Sequence, residues 1–410
     1  MSRVPPRPHP LARSVAAERA NAMLERAWAR GCASKPSLDP DRIWYDAAKG
    51  YSPQDERSIR SEEDVADFRE RLNWLCRSLR EEADLNALGL VMAYGQLRKA
   101  VRERHQLGRL WNEKPKLART QIAPPIAVVG VMRSGTTRVH RLLAADPRHC
   151  GTRFGDSHYP VPSSPDLRPL KARVGLALLG RLDPWLQIMH PVTPTGIDEE
   201  IGWLAAALSP PSYEAQWTIP SFVRWSEARD ARPVYAEFAR ILRTDAAHHG
   251  NAGKTRILKC PQFTEDLPAL LSAFPDLRIV ATARDPDAVW RSAVSMVTCQ
   301  SGYQTRSPDL TRVEAECDRK LRYRSASMDE GLKGTDRPVA RVSFSELNRD
   351  WREAVSKIYA QIGLTLDASA LRAMEAEVSR TPKRSLASHR KQIDDFALER
   401  PRPPAEAVSL

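Results

Sequence analysis

No stretch of this 410-residue chain stays apolar for the roughly 20 residues that a membrane span requires. The longest apolar runs, such as Val174-Gly-Leu-Ala-Leu-Leu-Gly180, are far shorter, so no span is expected. The N-terminus, Met1-Ser-Arg-Val-Pro-Pro-Arg-Pro-His-Pro10, lacks the apolar core of a secretory signal and holds too many prolines for one. Cysteine is sparse: Cys32, Cys76, Cys150, Cys260, Cys299 and Cys317 are widely spaced, with no Cys-x-x-Cys pair. Reduced thiols in a cytoplasmic protein are the expectation, and no metal site is. Basic runs interleaved with aromatics are also missing, which argues against nucleic acid. The net charge of +12 then favours a polyanionic ligand such as a nucleotide.

What is present is an ordinary globular composition, 42% hydrophobic and 28% charged. The length suits one elaborated domain with helical additions, or two domains. Residues 1–12 are proline-rich and expected to be disordered or draped on the surface. Residues 13–120 read as a helical region. Within it, Ser61 and Asp64 resemble a capping box, Val65, Phe68, Leu72, Leu75 and Leu79 follow helical spacing, and a second helix spans roughly Leu85 to Arg104. Residues 121–365 read as an α/β core. Its strands are Ile126–Val129, Arg256–Pro261, Leu277–Ala283 and Pro338–Phe344, each followed by a helical pattern. Such alternation predicts a mostly parallel sheet with helices on both faces and ligands at the C-terminal strand ends. Residues 150–170 read as a long loop, 171–250 as helical, and 366–410 as a helical and basic tail. Trp185, Trp203, Trp217, Trp225, Tyr159 and Phe222 fall in the 150–230 stretch, where most are expected to be core and a few to line an apolar or carbohydrate pocket.

The segment Gly130-Val-Met-Arg-Ser-Gly-Thr-Thr137 joins the first core strand to its helix. A glycine turn of this kind aims free N–H groups and the helix dipole at one point, where phosphate or sulfate binds. The glycine spacing is that of a P-loop, but Thr136 and Thr137 stand where Lys-Ser/Thr would. The nearest cation is Arg133. At the third core strand, Arg284-Asp-Pro286 closes the strand, and Ser292 follows eight residues after Arg284. Arg284 would then either serve a ligand at the strand end or pair with Asp285 or Asp287.

Together these two motifs closely resemble the PAPS-dependent sulfotransferases (3′-phosphoadenosine 5′-phosphosulfate donors), particularly the bacterial type with its P-loop NTPase-like fold. The likeness runs from about Leu107 to Phe396 and includes Leu258-Lys-Cys-Pro261, Ala273-Phe-Pro-Asp276 and Phe344-Ser-Glu-Leu347. It implies that Arg133, Ser134, Gly135, Thr136 and Thr137 hold the 5′-phosphosulfate, and Arg284 with Ser292 the 3′-phosphate. Near the C-terminus, His389 and Arg390 resemble a late family segment that folds back over the 3′-phosphate; a basic tail with no such role is the equal alternative. The implied reaction moves a sulfuryl group to an acceptor hydroxyl, or less readily an amine, and releases PAP. No triphosphate is handled, so no metal is needed.

Sulfuryl transfer is an in-line displacement in which positioning and charge stabilisation carry most of the catalysis. A general base adds typically ~10²–10⁴-fold. Asp156 stands where relatives carry a glutamate, and ranks first; His158, two residues on, is a substitute. His190 and Glu200 rank next, from a stretch resembling the family's acceptor-side His…Glu-Glu segment, where at least one of Glu199 and Glu200 should face the pocket. Lys259, at a strand end, is the expected stabiliser of the bridging oxygen. Cys260 and Phe263 replace the Ser/Thr and His of many relatives, which suggests an altered acceptor pocket. The partner is a hydroxylated small molecule, glycan or lipid, and a homo-oligomer is compatible with the sequence. Two other classes remain open: a P-loop kinase or NTPase, and a protein that binds PAP or PAPS without catalysis.

Overall fold

The computed structural model describes residue 4, residues 6–380, and residues 396, 398 and 400. Its centre is a five-stranded sheet: β1 Ile126–Val129, β2 His149–Gly151, β3 Thr255–Lys259, β4 Arg278–Ala283 and β5 Val339–Ser343. The order is β2-β3-β1-β4-β5, and every pairing is parallel. Sheet alternation explains the layers. Ala127 and Val129 face one core, with Leu258, Ile279, Tyr235 and Phe238; Ile126 and Val128 face another, with Ile257, Val280, Leu143 and Ile358. From β1 the chain runs out to the edge strand β2 and back to β3 on one side of β1, then crosses to β4 on the other. That switch point opens a crevice beyond the C-terminal strand ends.

Local signals set the helices. Ser61 and Asp64 form the expected reciprocal cap at the start of Glu62–Glu81, whose Phe68, Leu72, Leu75 and Leu79 are buried. Each such side chain contributes roughly 1.5–3 kcal/mol relative to exposure. The next helix, Ala87–Glu113, is capped by Asn86 and runs past the expected end at Arg104. Together these two helices pack on Leu208, Tyr213, Trp217 and Phe222, so the N-terminal layer braces the stretch preceding β3. Trp185, Trp203, Trp217 and Phe222 are buried, as packing residues should be. In the proline-rich start, Arg7 is buried, its guanidinium donating to Ser295 O at 3.1 Å and Thr298 Oγ1 at 3.2 Å.

Three features depart from the sequence reading. The stretch expected to be a long loop from 150 begins inside β2, continues through the short helix Phe154–His158, and leads to the helix Arg168–Leu182. β2 is short and supplies little pattern to read. The helix Leu310–Lys333 was not foreseen, because Asp318, Lys320 and Arg324 are buried alongside Val313, Leu321 and Leu332 and break its apolar pattern. Lys320 reaches Glu227 at 2.8 Å and Glu265 at 2.6 Å, and Arg324 reaches Glu214 at 2.5 Å and Glu265 at 2.6 Å. Phe344, placed by the sequence at the end of β5, instead opens the helix Phe344–Arg349 behind a Ser343–Glu346 capping box.

Candidate active site

Four chain segments leave the sheet side by side at this crevice: Gly130 after β1, Lys259 at the end of β3, Arg284 after β4 and Phe344 after β5. Close approach dictates both glycines of the turn. A Cβ on Gly130 would lie 2.2 Å from Thr282 Oγ1 and 2.6 Å from Ser134 Oγ. Those two hydroxyls, 2.7 Å apart, tie the turn to β4. Gly135 has φ +102, and a Cβ there would lie 2.7 Å from the Phe344 ring. The helix Thr136–Ala144 starts immediately after it; Arg138 N donates to Gly135 O at 3.0 Å, while the N–H groups of Thr136 and Thr137 have no intrahelical acceptor. Val139, Leu142 and Leu143 bury its inner face.

Arg133 also has a positive φ, +70, where a non-glycine residue is strained. The strain aims its side chain into the crevice: Nε donates to Ser292 Oγ at 2.8 Å and Nη1 to Met189 O at 3.3 Å. Arg284 Nη1 donates to the carbonyl of Arg133 at 3.0 Å, and its guanidinium lies 4.4 Å from the centre of the Phe344 ring. Asp285 caps the following helix by accepting from Ala288 N at 2.8 Å, and Asp287 pairs with Arg400 at 3.4 Å. Burial, then the neighbouring Arg284, pushes the Arg133 guanidinium down to about 10, against a smaller opposing pull from Glu199. Two cations held this close and partly out of water repel each other, and an anion between them would relieve that repulsion. Arg133, Ser134, Gly135, Thr136, Thr137, Arg284 and Ser292 are thus brought together. His389 and Arg390 lie outside the described residues.

Beside the cations stands a polar cluster. Lys259 Nζ meets Glu199 Oε2 at 2.7 Å, while its backbone N–H donates to Glu200 Oε2 at 2.7 Å. Neighbouring glutamates therefore have different environments: Glu199 is partly exposed, and Glu200 is fully buried, its carboxyl pushed up to about 8 by that burial. His190 Nε2 lies 3.2 Å from Asp198 Oδ2. Burial would raise Asp198, but His190, Lys259 and His158 hold it below the usual carboxylate range. His158 is pushed down to about 4, by burial first and by Lys99 next, so it is neutral near pH 7. Burial lowers Lys259, yet Glu199 and Asp198 outweigh it and keep the ammonium charged. His190, Asp198 and Glu199 have the mutual spacing of metal ligands, but Lys259 already supplies the cation on Glu199.

Asp156 is engaged elsewhere. Its carboxylate meets Arg153 at 2.6 Å, Arg168 at 3.3 Å and His249 at 3.0 Å, in a buried network that continues through Asp245 to Arg256 at 2.9 Å. His249 is raised to about 9 by its bonds to Asp156 and Asp245. This network clamps the helices Phe154–His158, Arg168–Leu182 and Arg232–His248 together. The Asp156 carboxylate is thus held in this clamp by Arg153, Arg168 and His249. Cys260 and Phe263 are both buried in the core, so neither lines the crevice. Sequence reasoning passed over Thr282 and the ring of Phe344. Their signal was positional, since each lies at or just past the C-terminal end of a strand.

Residues 124–368 match the sulfotransferase family. The chain belongs to that family. Among curated relatives, the omega-hydroxy-beta-dihydromenaquinone-9 sulfotransferases Stf3 of Mycobacterium bovis and Mycobacterium tuberculosis are each 26% identical over 192 residues. That match covers 44% of this chain and 47% of theirs, so the chain spans about half the length of the curated relatives it matches. Among solved structures, the sulfotransferase STF1 of M. tuberculosis H37Rv superposes with a TM-score of 0.71 and 26% identity, over 87% of this chain and 98% of that one. The sulfotransferase STF9 of Mycobacterium avium, 20% identical, shares the fold with a TM-score of 0.70 over 87% and 95%.

Proposed function

We propose that this sulfotransferase takes its sulfuryl group from PAPS and passes it to a hydroxyl of a lipid-like or other small acceptor, releasing PAP. The observation that carries the reading is the joining of Arg133, Arg284 and Ser292 at a glycine turn whose lysine position is Thr136. In this reading the turn's N–H groups and Arg133 hold the 5′-phosphosulfate, and Arg284 with Ser292 the 3′-phosphate. The donor suits a partly buried pair of guanidiniums because it brings two separated anionic groups to them.

Glu199 takes the role of general base in place of Asp156. It is partly exposed, pairs with Lys259 at 2.7 Å and lies close enough to Arg133 to pull on its guanidinium. In the transfer, the acceptor oxygen forms a bond to sulfur as the bond from sulfur to the phosphate oxygen breaks, and the acceptor proton passes to Glu199. Lys259 and Arg133 offset the charge that builds on the leaving oxygen. Glu200 and the His190–Asp198 pair position this wall. The hydroxylated quinone named for the Stf3 relatives supports a hydroxyl on a lipid-like acceptor.

The test is incubation with labelled PAPS and a lipid extract, read by mass spectrometry for sulfated products and PAP. Sulfated product that requires neither ATP nor Mg²⁺ is expected. Transfer from ATP that a chelator abolishes would replace this reading with a kinase, and PAP binding without transfer to any acceptor would leave a binding protein.

A further inference from the structure

The helix Arg168–Leu182 has two apolar faces. Ala172 and Leu176 are buried inward, where packing accounts for them. On the opposite face Leu170, Val174 and Leu178 are 55%, 53% and 56% exposed, and Leu167, just before the helix, is 44% exposed. Spacings of three and four residues place these side chains on one ridge. They are four of the eight large apolar side chains exposed among the described residues, so the exposure is concentrated rather than scattered.

Charge frames the ridge. With about 100° between successive residues, Lys171 and Arg173 fall on its two flanks, and Arg181 lies at its C-terminal end. All three are exposed, and the helix contains no Asp or Glu. A surface helix of a soluble fold normally turns polar residues outward. A leucine–valine ridge whose exposed charged neighbours within the helix are all cations has instead the chemistry of a helix lying in an anionic phospholipid interface. At 15 residues the helix is about 22 Å long, and no helix among the described residues is long and apolar enough to cross a membrane. A second copy of this chain fits poorly. A two-fold contact through the ridge would set the same cationic rim against itself.

We propose that the Leu167–Leu178 ridge and its basic rim dock this protein on anionic phospholipid bilayers. The surface stands on this helix alone, independently of the donor and acceptor reading. Its inner face packs on the helix that ends in His158: a Cβ on Gly155 would lie 3.3 Å from Arg168 O and 3.4 Å from Ala172 Cβ. The docking face and the polar wall of the crevice are thus one helix apart.

The experiment is flotation of the full chain with phosphatidylcholine vesicles, with and without phosphatidylglycerol, at low and high salt. The parent should float only with the anionic vesicles and detach as salt rises. Combined Leu170→Gln, Val174→Gln and Leu178→Gln should lower partition by about tenfold or more. Lys171→Gln, Arg173→Gln and Arg181→Gln should each lower it about fivefold and flatten the salt response. Circular dichroism and Tm confirm that the variants are folded. Failure of the parent to bind anionic vesicles, or unchanged binding by the folded ridge variant, would overturn the proposal. So would a ridge variant that turns a dimer into a monomer in sedimentation while its vesicle binding stays the same, which would give the face to a second copy.

Discussion

Arg133→Gly separates a ligand-holding arginine from a structural one. The substitution removes the guanidinium and gives the φ +70 position to the residue that adopts it without steric cost. Relief of the left-handed strain contributes roughly 1–2 kcal/mol. The guanidinium stands at about 10 instead of 12.5, which corresponds to at most about 3 kcal/mol of unfavourable burial and repulsion. Partial exposure screens that figure to roughly half. Opposing these gains, the bonds to Ser292 and Met189 are each worth about 1 kcal/mol, and glycine's freedom in the unfolded chain costs about 0.5–1 kcal/mol. The opposing contributions nearly cancel, so urea denaturation of the ligand-free variant should give a stability within about 1 kcal/mol of the parent. The same preparation, titrated with PAP, should bind about 10–100-fold more weakly, the loss of one or two charge-assisted bonds. A stability loss above about 3 kcal/mol with PAP affinity unchanged would make Arg133 a structural plug and refute the reasoning.

Glu199→Gln should reduce kcat by about 10²–10⁴-fold, the usual value of a general base, while PAP affinity holds; unchanged kcat in a coupled PAP-release assay would remove Glu199 from the chemistry. Asp156→Asn should instead act on folding, costing about 3–5 kcal/mol in urea denaturation as a buried ionic network loses its carboxylate. The same network predicts a pH dependence. His249 is raised from 6.5 to about 9, so its contribution is fully present below pH 6.5 and is lost as pH climbs through 9. After screening it should amount to roughly 1–2 kcal/mol. Asp245, lowered from 3.8 to about 2, contributes above pH 3.8 and loses its contribution as pH falls through 2. Stability measured from pH 8 to 10, above the titration of Glu200 at about 8, should decline in the parent and less steeply in His249→Gln.

Much of this was legible in the chain because it is written locally. The strand–glycine turn–helix around Gly130 and Gly135, and the strand that ends at Arg284, depend on residues close in sequence, and the structure joins them through Arg133. What was not legible depends on distant partners. The partners of Asp156, Arg168 and His249, come from distant parts of the chain and leave no mark in the sequence around it. Glu199 and Glu200 are neighbours in the same acidic run, and the fold separates them by burial and by Lys259, which binds one through its ammonium and the other through its backbone. The Leu310–Lys333 helix escapes a hydrophobic-period reading because Lys320 and Arg324 occupy its inward face, with their glutamate partners supplied from elsewhere in the chain. The ridge on Arg168–Leu182 obscures its own pattern in the opposite way, being apolar inside and out.

The central claim is that the crevice holds a nucleotide with two separate anionic groups, one at the turn and one at Arg284. Calorimetric titration of PAP into the parent and into Arg284→Ala, with ATP–Mg²⁺ as the competing nucleotide, tests it most directly. Saturable PAP binding that ATP–Mg²⁺ does not match, weakened about 10–100-fold by Arg284→Ala, is the predicted result. Binding of ATP–Mg²⁺ in preference to PAP, or an Arg284→Ala variant that binds PAP as tightly as the parent, would contradict it.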